Sequence, residues 1–422
     1  MSTFACTITP ITILPHPNAE KLELAKVADY RCVVGKGLYK TGDLVAYIPE
    51  AAIIPEDQLQ FFGYWSEVEG KGLLAGANGD RVKAVKLRGE VSQGLVFPVN
   101  KIAMYLGQLD REFSVGEDVA ELLGITKWEP PIPVGMAGEV YSAGQNVTVD
   151  YDIENLKKYP DVLVEGEEVI FTEKLHGTSF QLGMLPISEK YHHDDHFRIK
   201  TEDGEAYFFI ASKGLGAQGL CFKDVEANKN NVYVRATIQY GLMEKLLKLR
   251  TAINNGEFDE LSKNTQREFF NTMNFALGGG PADGLGVNNE PLILQGEVYG
   301  AVQDLTYGAK QGQIFFRAFD ICIGERAFRS YFDEALFEKA IEVMELDRCP
   351  VLYKGPYSKE KILELTHHTK SVVCPTQISE GGVVKPTKER KDQSIPTMGG
   401  RVILKSINED YLLRKGNATE FN

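Results

Sequence analysis

The amino-acid sequence predicts an α+β protein with two domains joined by a linker, and three observations lead to that prediction. Over residues 1–128, short apolar stretches alternate with turn residues, a pattern typical of a small barrel or sandwich. The next stretch, 129–145, begins with a proline-rich run, which stiffens a chain and is typical of a linker. Over 146–422, strand-like and helix-like patterns mix, which favours an antiparallel sheet core with flanking helices.

Local patterns place the individual elements of these two domains. Apolar stretches between turn residues predict strands at 44–48, 81–87, 168–172, 291–299, 313–320, 381–385 and 401–407. Helical spacing of apolar residues predicts helices over 232–275, 332–346 and 358–370. The sequence has no internal repeat, and most of the predicted strands fall in the second domain.

The composition is that of an ordinary globular chain in a reducing compartment. The chain has 422 residues, 43% hydrophobic and 25% charged, so it can bury a full core without disulfide bonds. Its six cysteines lie far apart with no Cys-x-x-Cys pair, which argues against a zinc site or a disulfide framework. No apolar run reaches the about 18 residues of a membrane span, and no basic-then-apolar leader opens the sequence, so we expect a cytoplasmic protein.

The net charge of −13 argues against a protein that binds nucleic acid over a broad basic surface. A local basic groove is still compatible with it, and one candidate is the stripe Arg81, Lys83, Lys86 and Arg88. With the period of two of a strand, Arg81 and Lys83 share one face while Lys86 and Arg88 share the other. At most half of the stripe can therefore face one ligand, and a solvated strand explains it equally well.

The segment 172–179, Thr-Glu-Lys-Leu-His-Gly-Thr-Ser, is the most informative for chemistry. It places Lys174 at the end of a predicted strand, where an unprotonated amine can attack a phosphorus atom. Only about one free lysine in 10³ is deprotonated at neutral pH, so nearby cations or a bound metal would have to lower the pKa by about three units. Gly177 would let a substrate approach the backbone closely. Taken alone, such a segment is more often an ordinary surface strand end.

Charged and aromatic residues recur along the predicted strands that follow. A glutamate inside an apolar strand is seldom buried without a partner, so it indicates a site or a cation nearby. An aromatic side chain can stack on a base. Each of these features alone is more often structural, but together they form an ordered set after Lys174. The set consists of Glu297, the pair Phe319 and Asp320, Glu380, and the late cations Arg401 and Lys405.

The ordered set resembles the covalent nucleotidyltransferase superfamily of ligases and capping enzymes. The form of 173–178, Glu-Lys-Leu-His-Gly-Thr, is similar to the RNA ligase branch, in which histidine replaces the aspartate common in DNA ligases and capping enzymes. Residues 15–22, 42–49, 87–89 and 92–95 resemble the module that precedes the catalytic domain in RNA ligases of the Deinococcus/Naegleria type. The resemblance implies an N-terminal OB-like β-barrel followed by a nucleotidyltransferase (adenylyltransferase) domain. Insertions are expected at 185–206 and 224–290.

The resemblance also implies a role for each matching residue. Lys174 would be the nucleophile that carries AMP from ATP, and Glu173 would contact the adenine amino group. Glu297 and Glu380 would hold Mg²⁺ or Mn²⁺, directly or through its water. Lys405 would be a catalytic cation of the last motif. The nucleotide-binding residues would be Glu173, His176, Gly177, Lys213, Glu297, Phe319 (with Asp320 beside the nucleoside) and Lys385.

Two positions depart from the family pattern. The position of Lys213 usually holds an arginine, and a lysine there loses the two-pronged contact. The last motif usually has a second lysine two positions after the first, but here Ile407 occupies that position. Either Lys385 or Arg401 supplies the missing charge, or the phosphate-binding cage is weaker.

The implied activity is ATP-dependent joining of RNA 3′-hydroxyl and 5′-phosphate ends through a lysyl-AMP and an RNA-adenylate, with RNA repair as the role by analogy. The sequence leaves open a nicked duplex, a single strand or a tRNA break as substrate. A DNA ligase or a GTP-using capping enzyme is one alternative, although His176 and the preceding barrel favour RNA ligase. A non-catalytic RNA-binding module is another, since OB-like barrels bind oligonucleotides. Lys174 with two matched glutamates argues against that module.

Two other patterns are weaker candidates for sites. Residues 214–219 fit Gly-x-Gly-x-x-Gly, but dinucleotide binding would require a preceding parallel strand and an acidic residue about 20 positions later. Residues 238–240, at that distance, contain no acid. The cluster His192-His193-Asp194-Asp195-His196 resembles a metal site, but adjacent ligands in a polar insertion favour a solvated loop.

Overall fold

The computed structural model describes residues 3–186, 191, 194–202, 204–258 and 290–414. The described chain forms two compact units. The first unit lies within Met1–Pro130, Glu154–Val162 and Glu409–Lys415. The second lies within Pro131–Ile153 and Leu163–Asn408. The domain boundaries expected at residues 128 and 146 remain a proposal, and the first unit also contains two segments that lie beyond them.

The strands up to residue 155 are short, as the turn-rich sequence predicts. They are β1 (Thr7–Pro10), β2 (Thr12–Pro15), β3 (Leu22–Val27), β4 (Tyr30–Gly35), β5 (Leu44–Ile48), β6 (Ala52–Ile53), β7 (Trp65–Ser66), β8 (Lys71–Gly72), β9 (Val85–Leu87), β10 (Glu90–Ser92), β11 (Leu95–Pro98), β12 (Thr126–Lys127), β13 (Val140–Ser142) and β14 (Glu154–Asn155).

The later strands are longer and carry most of the second unit. They are β15 (Glu168–Glu173), β16 (Thr178–Leu185), β17 (Phe197–Thr201), β18 (Gly204–Ser212), β19 (Leu220–Phe222), β20 (Leu292–Gly300), β21 (Ile314–Ile323), β22 (Ser330–Tyr331), β23 (Val351–Pro356), β24 (Gly381–Pro386) and β25 (Leu404–Ile407). The described helices are α1 (Glu56–Phe62), α2 (Val99–Tyr105), α3 (Lys213–Gln218), α4 (Val232–Gln239), α5 (Leu242–Asn254), α6 (Glu334–Met344), α7 (Lys359–Thr366) and α8 (Glu409–Leu412).

The first unit is built from small antiparallel sheets. Its two three-stranded sheets have the orders β1-β5-β11 and β2-β3-β4. Strand β5 contributes to two apolar clusters, because successive side chains of a strand point to opposite faces. Val45 and Tyr47 pack in one cluster with Val96, while Ala46 and Ile48 pack in the other. The central strand is therefore buried on both sides, which holds the small sheets together.

The strand predicted over 81–87 is wrong in its first half. Only Val85–Leu87 is a strand, paired with β10 in a hairpin. Arg81 instead makes isolated bridges to Ile53 and Ala75, and its guanidinium lies 4.0 Å from the centre of the Trp128 ring. The alternation assumed for the basic stripe therefore does not extend back to Arg81, because that side chain is used in a cation–π contact.

The second unit contains a six-stranded sheet of order β17-β18-β16-β20-β21-β22. One face is covered by α4, α5 and α6, whose apolar side chains pack against alternate residues of β16 and β20. Phe180, Leu182 and Leu294 are fully buried in that layer. The helices α4 and α5 come from the expected insertion 224–290, so its described part, up to residue 258, completes the core.

Four further strands of the second unit lie side by side in a second large sheet, in the order β25-β24-β15-β23, and β13 pairs with β19 in a small one. Every pairing among them is antiparallel, as predicted. A shared apolar cluster contains Ile293 from the six-stranded sheet and Val383 from β24. The faces that meet in this cluster are those on which the candidate site lies.

Two helix predictions are confirmed and one is corrected. Helices α6 and α7 lie within 332–346 and 358–370. The helix predicted over 232–275 is broken at Gly241, which adopts a left-handed φ of 58°, and residues 259–275 lie outside the described chain. The strand predicted over 401–407 is also shorter than expected, since β25 starts only at Leu404 and Arg401 lies before it. None of the described helices combines the length and apolar character that a membrane crossing requires.

Candidate active site

The candidate nucleophile, Lys174, directly follows β15. Its backbone N–H donates to the carbonyl of Gly381 at 2.9 Å, which ties the strand end to β24. Its ammonium lies 2.7 Å from Oε1 of Glu380, and the lysine side chain is 29% exposed. The predicted lysine and one predicted carboxylate are therefore in direct contact, although 206 positions separate them in sequence.

Nearby cations and a bound metal are the two expected ways to lower the pKa of Lys174, but the described charged groups that act on it most are carboxylates. Burial is the largest effect on its pKa and lowers it, but Glu380 and Glu297 raise it, and the net effect is a raised pKa. The described protein groups therefore favour the charged ammonium. Deprotonation of this amine therefore requires another cation that competes with it for the two carboxylates.

Glu297 lies on β20, on the face that carries the site. Burial and, to a smaller extent, the charge of Glu380 raise the pKa of Glu297 while Lys174 lowers it, and the net pKa is about 8. Its backbone pairs with Ser179 on one side and Arg317 on the other. Both glutamates thus act electrostatically on one lysine, Glu297 from β20 and Glu380 from the residue before β24.

Glu380 has one oxygen engaged and one oriented toward His176. Oε1 contacts Lys174, whereas Oε2 is buried and receives no hydrogen bond from any described residue. Oε2 lies 3.9 Å from Nδ1 of His176. A buried carboxylate oxygen of this kind is costly unless a ligand or a water satisfies it.

His176 is held by a loop that the sequence analysis did not identify. Its Nε2 lies 2.7 Å from Oδ1 of Asp304, and its backbone N–H donates to the Tyr307 hydroxyl at 2.6 Å. Gln303 donates its side-chain N–H to the carbonyl of Gly177. A buried histidine needs such partners, but they could not be chosen from the sequence because this loop has no periodic pattern.

Glycine is needed at position 177 because the turn packs closely against β20. A β-carbon there would lie 2.3 Å from the Val298 carbonyl oxygen and 3.0 Å from Oε1 of Glu297. The absence of a side chain thus allows the nucleophile turn to pack against β20. The role expected for Gly177, which is to let a substrate approach the backbone closely, remains a proposal.

Glu173 is buried, with one oxygen bonded. Its Oε2 accepts from the backbone N–H of Val372 at 3.0 Å, and no described residue hydrogen-bonds to Oε1. Burial raises the pKa of Glu173, although hydrogen bonds from the segment 371–373 oppose it. The free oxygen is the one available to a ligand.

Lys213 begins α3 and is paired with a carboxylate that sequence reasoning missed. Its ammonium lies 3.1 Å from Oδ1 of Asp152, and both side chains are largely buried. Its charge also lowers the pKa of Glu297, which places it near the site. A lysine acts here as a point charge rather than as a two-pronged donor.

Phe319 and Asp320 lie at a bulge in β21. Gln295 pairs with Asp320 and Gly296 with Ala318, so Phe319 is the extra residue. Phe319 is partly exposed and its ring centre lies 5.2 Å from that of Tyr151. An aromatic side chain in this position can stack on a base.

Asp320 is fully buried in an ionic network. It accepts from Tyr151 at 2.6 Å and from both terminal nitrogens of Arg401. Burial favours the neutral form, but Arg401 and Lys385 outweigh it and lower the pKa of Asp320. Arg401 is bound on its other side by Glu389, with contacts of 2.7 and 2.6 Å.

The remaining predicted cations lie on one sheet face. Lys405 pairs with Val383, which pairs with Thr172, so their side chains share a face that is partly exposed. Lys385 lies two residues along β24 on the same face, but it is buried, with its ammonium 3.7 Å from Asp320. The structure therefore brings Lys405 to the open part of the face and Lys385 to the buried network.

The two weaker motifs do not form sites in the described chain. Residues 214–219 form α3 and its left-handed Gly219 end, after a strand that is antiparallel to its neighbours. His192 and His193 lie outside the described residues, and His196 is buried against the Tyr141 ring. No group of three or more metal-binding side chains occurs among the residues that the structure describes.

Comparisons with known proteins agree with this architecture. A family model described as RNA ligase matches residues 167–407, more than half of the chain. A second, described as an OB-fold domain, matches residues 6–99. No curated protein sequence matches the chain.

Solved structures of Naegleria gruberi RNA ligase are similar over nearly the whole length. A variant with AMP and Mn is 21% identical with a TM-score of 0.64, over 96% of this chain and 97% of that chain. An apo variant is 21% identical with a TM-score of 0.65, over 98% of both chains. The enzyme with pyrophosphate is 22% identical with a TM-score of 0.64, over 96% of this chain and 97% of that chain. These matches confirm the predicted fold class, an OB-fold domain followed by an RNA ligase nucleotidyltransferase domain.

Proposed function

The chain belongs to the RNA ligase family, and we propose that it joins RNA 3′-hydroxyl and 5′-phosphate ends with ATP as the energy source. The observation that carries this proposal is the contact of Lys174 with Glu380 at 2.7 Å, beside Glu297. A lysine at a strand end between two carboxylates suits a nucleophile that forms a covalent nucleotide. The Naegleria gruberi structures with ATP, AMP and Mn support the choice of nucleotide.

The reaction has three phosphoryl-transfer steps. The Lys174 amine loses its proton, attacks the α-phosphorus of ATP and forms a P–N bond as the bond to pyrophosphate breaks. An oxygen of an RNA 5′-phosphate then attacks the same phosphorus, which breaks the P–N bond and frees Lys174. Finally a 3′-hydroxyl attacks the RNA phosphate, loses its proton and releases AMP. The protein contributes positioning and charge neutralisation in each step.

The nucleotide contacts proposed from the sequence agree with the open polar atoms of the site. The free Oε1 of Glu173 can accept from the adenine amino group. Phe319, partly exposed at its bulge, can stack on the base. His176 and Gly177 shape the turn beside the α-phosphate, and Lys213 and Lys405 provide positive charge.

The carboxylates of the site fit a hard divalent cation. Mg²⁺ typically keeps several waters and uses one or two protein carboxylates. Glu297 and Glu380 provide that number, and the free Oε2 of Glu380 provides an unsatisfied acceptor. Such a cation, when bound, would neutralise charge on the α-phosphate and compete with Lys174 for the two carboxylates.

The RNA contacts are proposed to include the β9–β10 hairpin of the first unit. Lys86 and Arg88 are exposed there, beside Val85 and Leu87, which are 46% and 42% exposed. Cations that contact phosphates next to apolar side chains suit an RNA strand. A nicked duplex is the first substrate to test, and RNA repair in the cytoplasm is the role that this proposal assigns.

Intact mass after incubation with ATP and Mg²⁺ tests the proposal, with wild type, Lys174→Ala and a control, Lys310→Ala, at an exposed position. We expect an added AMP in wild type and control but not in Lys174→Ala. GTP should give no adduct, and a nicked RNA duplex should be sealed in preference to nicked DNA. The absence of any adduct on folded protein free of AMP would refute the ligase proposal and favour a non-catalytic RNA-binding module.

A further inference from the structure

The loop between β20 and β21 (residues 301–313, the β20–β21 loop) holds the nucleophile turn at three points. Gln303 donates to the carbonyl of Gly177, Asp304 binds Nε2 of His176, and the Tyr307 hydroxyl accepts from the His176 backbone. All three contacts reach the two residues that follow the Lys174-Leu175 pair. The loop is therefore part of the site's framework, although no predicted motif lies in it.

The backbone of the β20–β21 loop is strained at the residue that makes one of these contacts. Tyr307 has a φ of 53°, in the left-handed region that bulky side chains rarely adopt. It is buried, and its own N–H donates to the side chain of Gln377 at 3.1 Å. Local strain persists where the surrounding contacts over-determine a conformation, as at functional sites.

The Asp304 contact decides which nitrogen of His176 faces the site. A carboxylate only accepts hydrogen bonds, so Nε2 at 2.7 Å must carry a proton that it donates. Nδ1 is then the nitrogen oriented toward Oε2 of Glu380, 3.9 Å away. That oxygen is buried and has no hydrogen-bond donor among the described residues. Two polar atoms thus converge on one point beside Lys174.

We propose that Asp304 is a positioning residue of the adenylylation site, an inference that rests on the proposed ligase function. By binding Nε2, it directs Nδ1 of His176 so that Nδ1 and Oε2 of Glu380 accept together from one water of a divalent cation. Water fits this point because atoms 3.9 Å apart are too distant to bond directly. A carboxylate that fixes a histidine beside a metal usually affects affinity for the metal.

The substitution Asp304→Asn tests this role. It keeps the shape of the side chain but replaces a carboxylate, which can only accept hydrogen bonds, with an amide. An amide can either donate or accept, so both ring tautomers become possible. We expect the Mn²⁺ concentration that half-saturates lysyl-AMP formation to rise by about 10- to 100-fold. The melting temperature should stay at the wild-type value, and Lys310→Ala, in the same loop, should change neither quantity.

A binding measurement without ATP separates this inference from the ligase proposal. Free Mn²⁺ is counted by electron paramagnetic resonance as it is titrated into wild type, Asp304→Asn and His176→Ala. We expect weaker Mn²⁺ binding in both variants, and no further weakening when they are combined, because Asp304 acts through His176. If wild type binds Mn²⁺ but forms no lysyl-AMP, the ligase proposal fails while the role of Asp304 is still measured.

Three results would overturn the role of Asp304. The first is wild-type Mn²⁺ dependence in Asp304→Asn, which would reduce the residue to a packing contact. The second is full additivity of the two substitutions, which would mean that Asp304 does not act through His176. The third is a wild-type protein that binds no Mn²⁺, which would leave the point between Nδ1 and Oε2 without the proposed ligand.

Discussion

Substituting alanine for Gly177 tests whether the nucleophile turn must pack directly on β20. The new β-carbon would lie 2.3 Å from the Val298 carbonyl oxygen, 2.8 Å from the Tyr299 β-carbon and 3.0 Å from Oε1 of Glu297. Ordinary contact begins near 3.4 Å. The carbon and the carbonyl oxygen must therefore separate by about 1.1 Å, and neither is the flexible end of a side chain.

The expected magnitude follows from that displacement. Overfilling a packed site costs about 1–3 kcal/mol of folding free energy. A misplacement of about 1 Å at a reacting group costs about 100-fold in rate. Because the moving elements carry Lys174 and Glu297, we expect lysyl-AMP formation to slow by about 100-fold and the free energy of unfolding to fall by about 1–3 kcal/mol.

The assay is the rate of AMP addition to Lys174, followed by intact mass, together with the free energy of unfolding in urea. Gly214→Ala is the matched control, because a β-carbon there meets nothing within 4 Å and the residue lies in α3. The control should retain the wild-type rate. A Gly177→Ala protein that reacts at the wild-type rate would show that β20 yields without disturbing the site, and the packing argument would be wrong.

Three further predictions concern the buried network and the hairpin. Arg401→Ala leaves Asp320 buried without its main partner and should cost about 3–5 kcal/mol in urea denaturation. Buried cations lower the pKa of Asp320 in the folded state. The charged carboxylate therefore stabilises the fold fully at pH values above its unfolded-state pKa of about 3.9. This stabilisation is lost as the pH falls through the lower folded-state pKa. Asp320→Asn should therefore flatten the dependence of stability on pH below about pH 4. Removing Lys86 and Arg88 together should weaken RNA binding. The slope of log K against log salt should become shallower by about 0.7–0.9 for each phosphate that is no longer neutralised. The control Arg81→Ala should leave the slope unchanged, because the Arg81 cation stacks on Trp128.

The strands of the second unit could be predicted because their apolar runs are long and bounded by turn residues. The predicted 291–299 and 381–385 differ from β20 and β24 by one residue at each altered end. The prediction over 81–87 failed because the alternation of charged and apolar residues there imitates the period of a strand. Arg81 has a tertiary contact with Trp128 instead, and no local pattern encodes that contact.

The sequence indicated two residues that the structure brings into contact, Lys174 and Glu380, but not the residues that hold the site together. Lys174 and Glu380 could be named because they belong to an ordered set of strand-end residues that resembles the covalent nucleotidyltransferases. Asp304 and Asp152 lie outside such patterns, and only the folded backbone brings them to His176 and Lys213. The tight packing at Gly177 was missed for the same reason, since the contacting carbonyl lies on another strand.

The missing second lysine of the last motif has a physical consequence that the network makes specific. Ile407 pairs with Gly381, where the family pattern expects a charge. Arg401 cannot supply it without leaving Asp320 and Glu389, because its guanidinium already donates to both carboxylates.

Lys385 is no better placed to supply the charge. Its ammonium lies 3.7 Å from Asp320 and 3.8 Å from Glu389, and moving it away would remove one of the cations that stabilise the buried Asp320 carboxylate. Lys213 is likewise paired with a carboxylate, Asp152 at 3.1 Å, so none of these three cations can move to a phosphate without breaking a contact. Of the two explanations for the missing lysine, the weaker phosphate-binding cage is the one that agrees with the contacts.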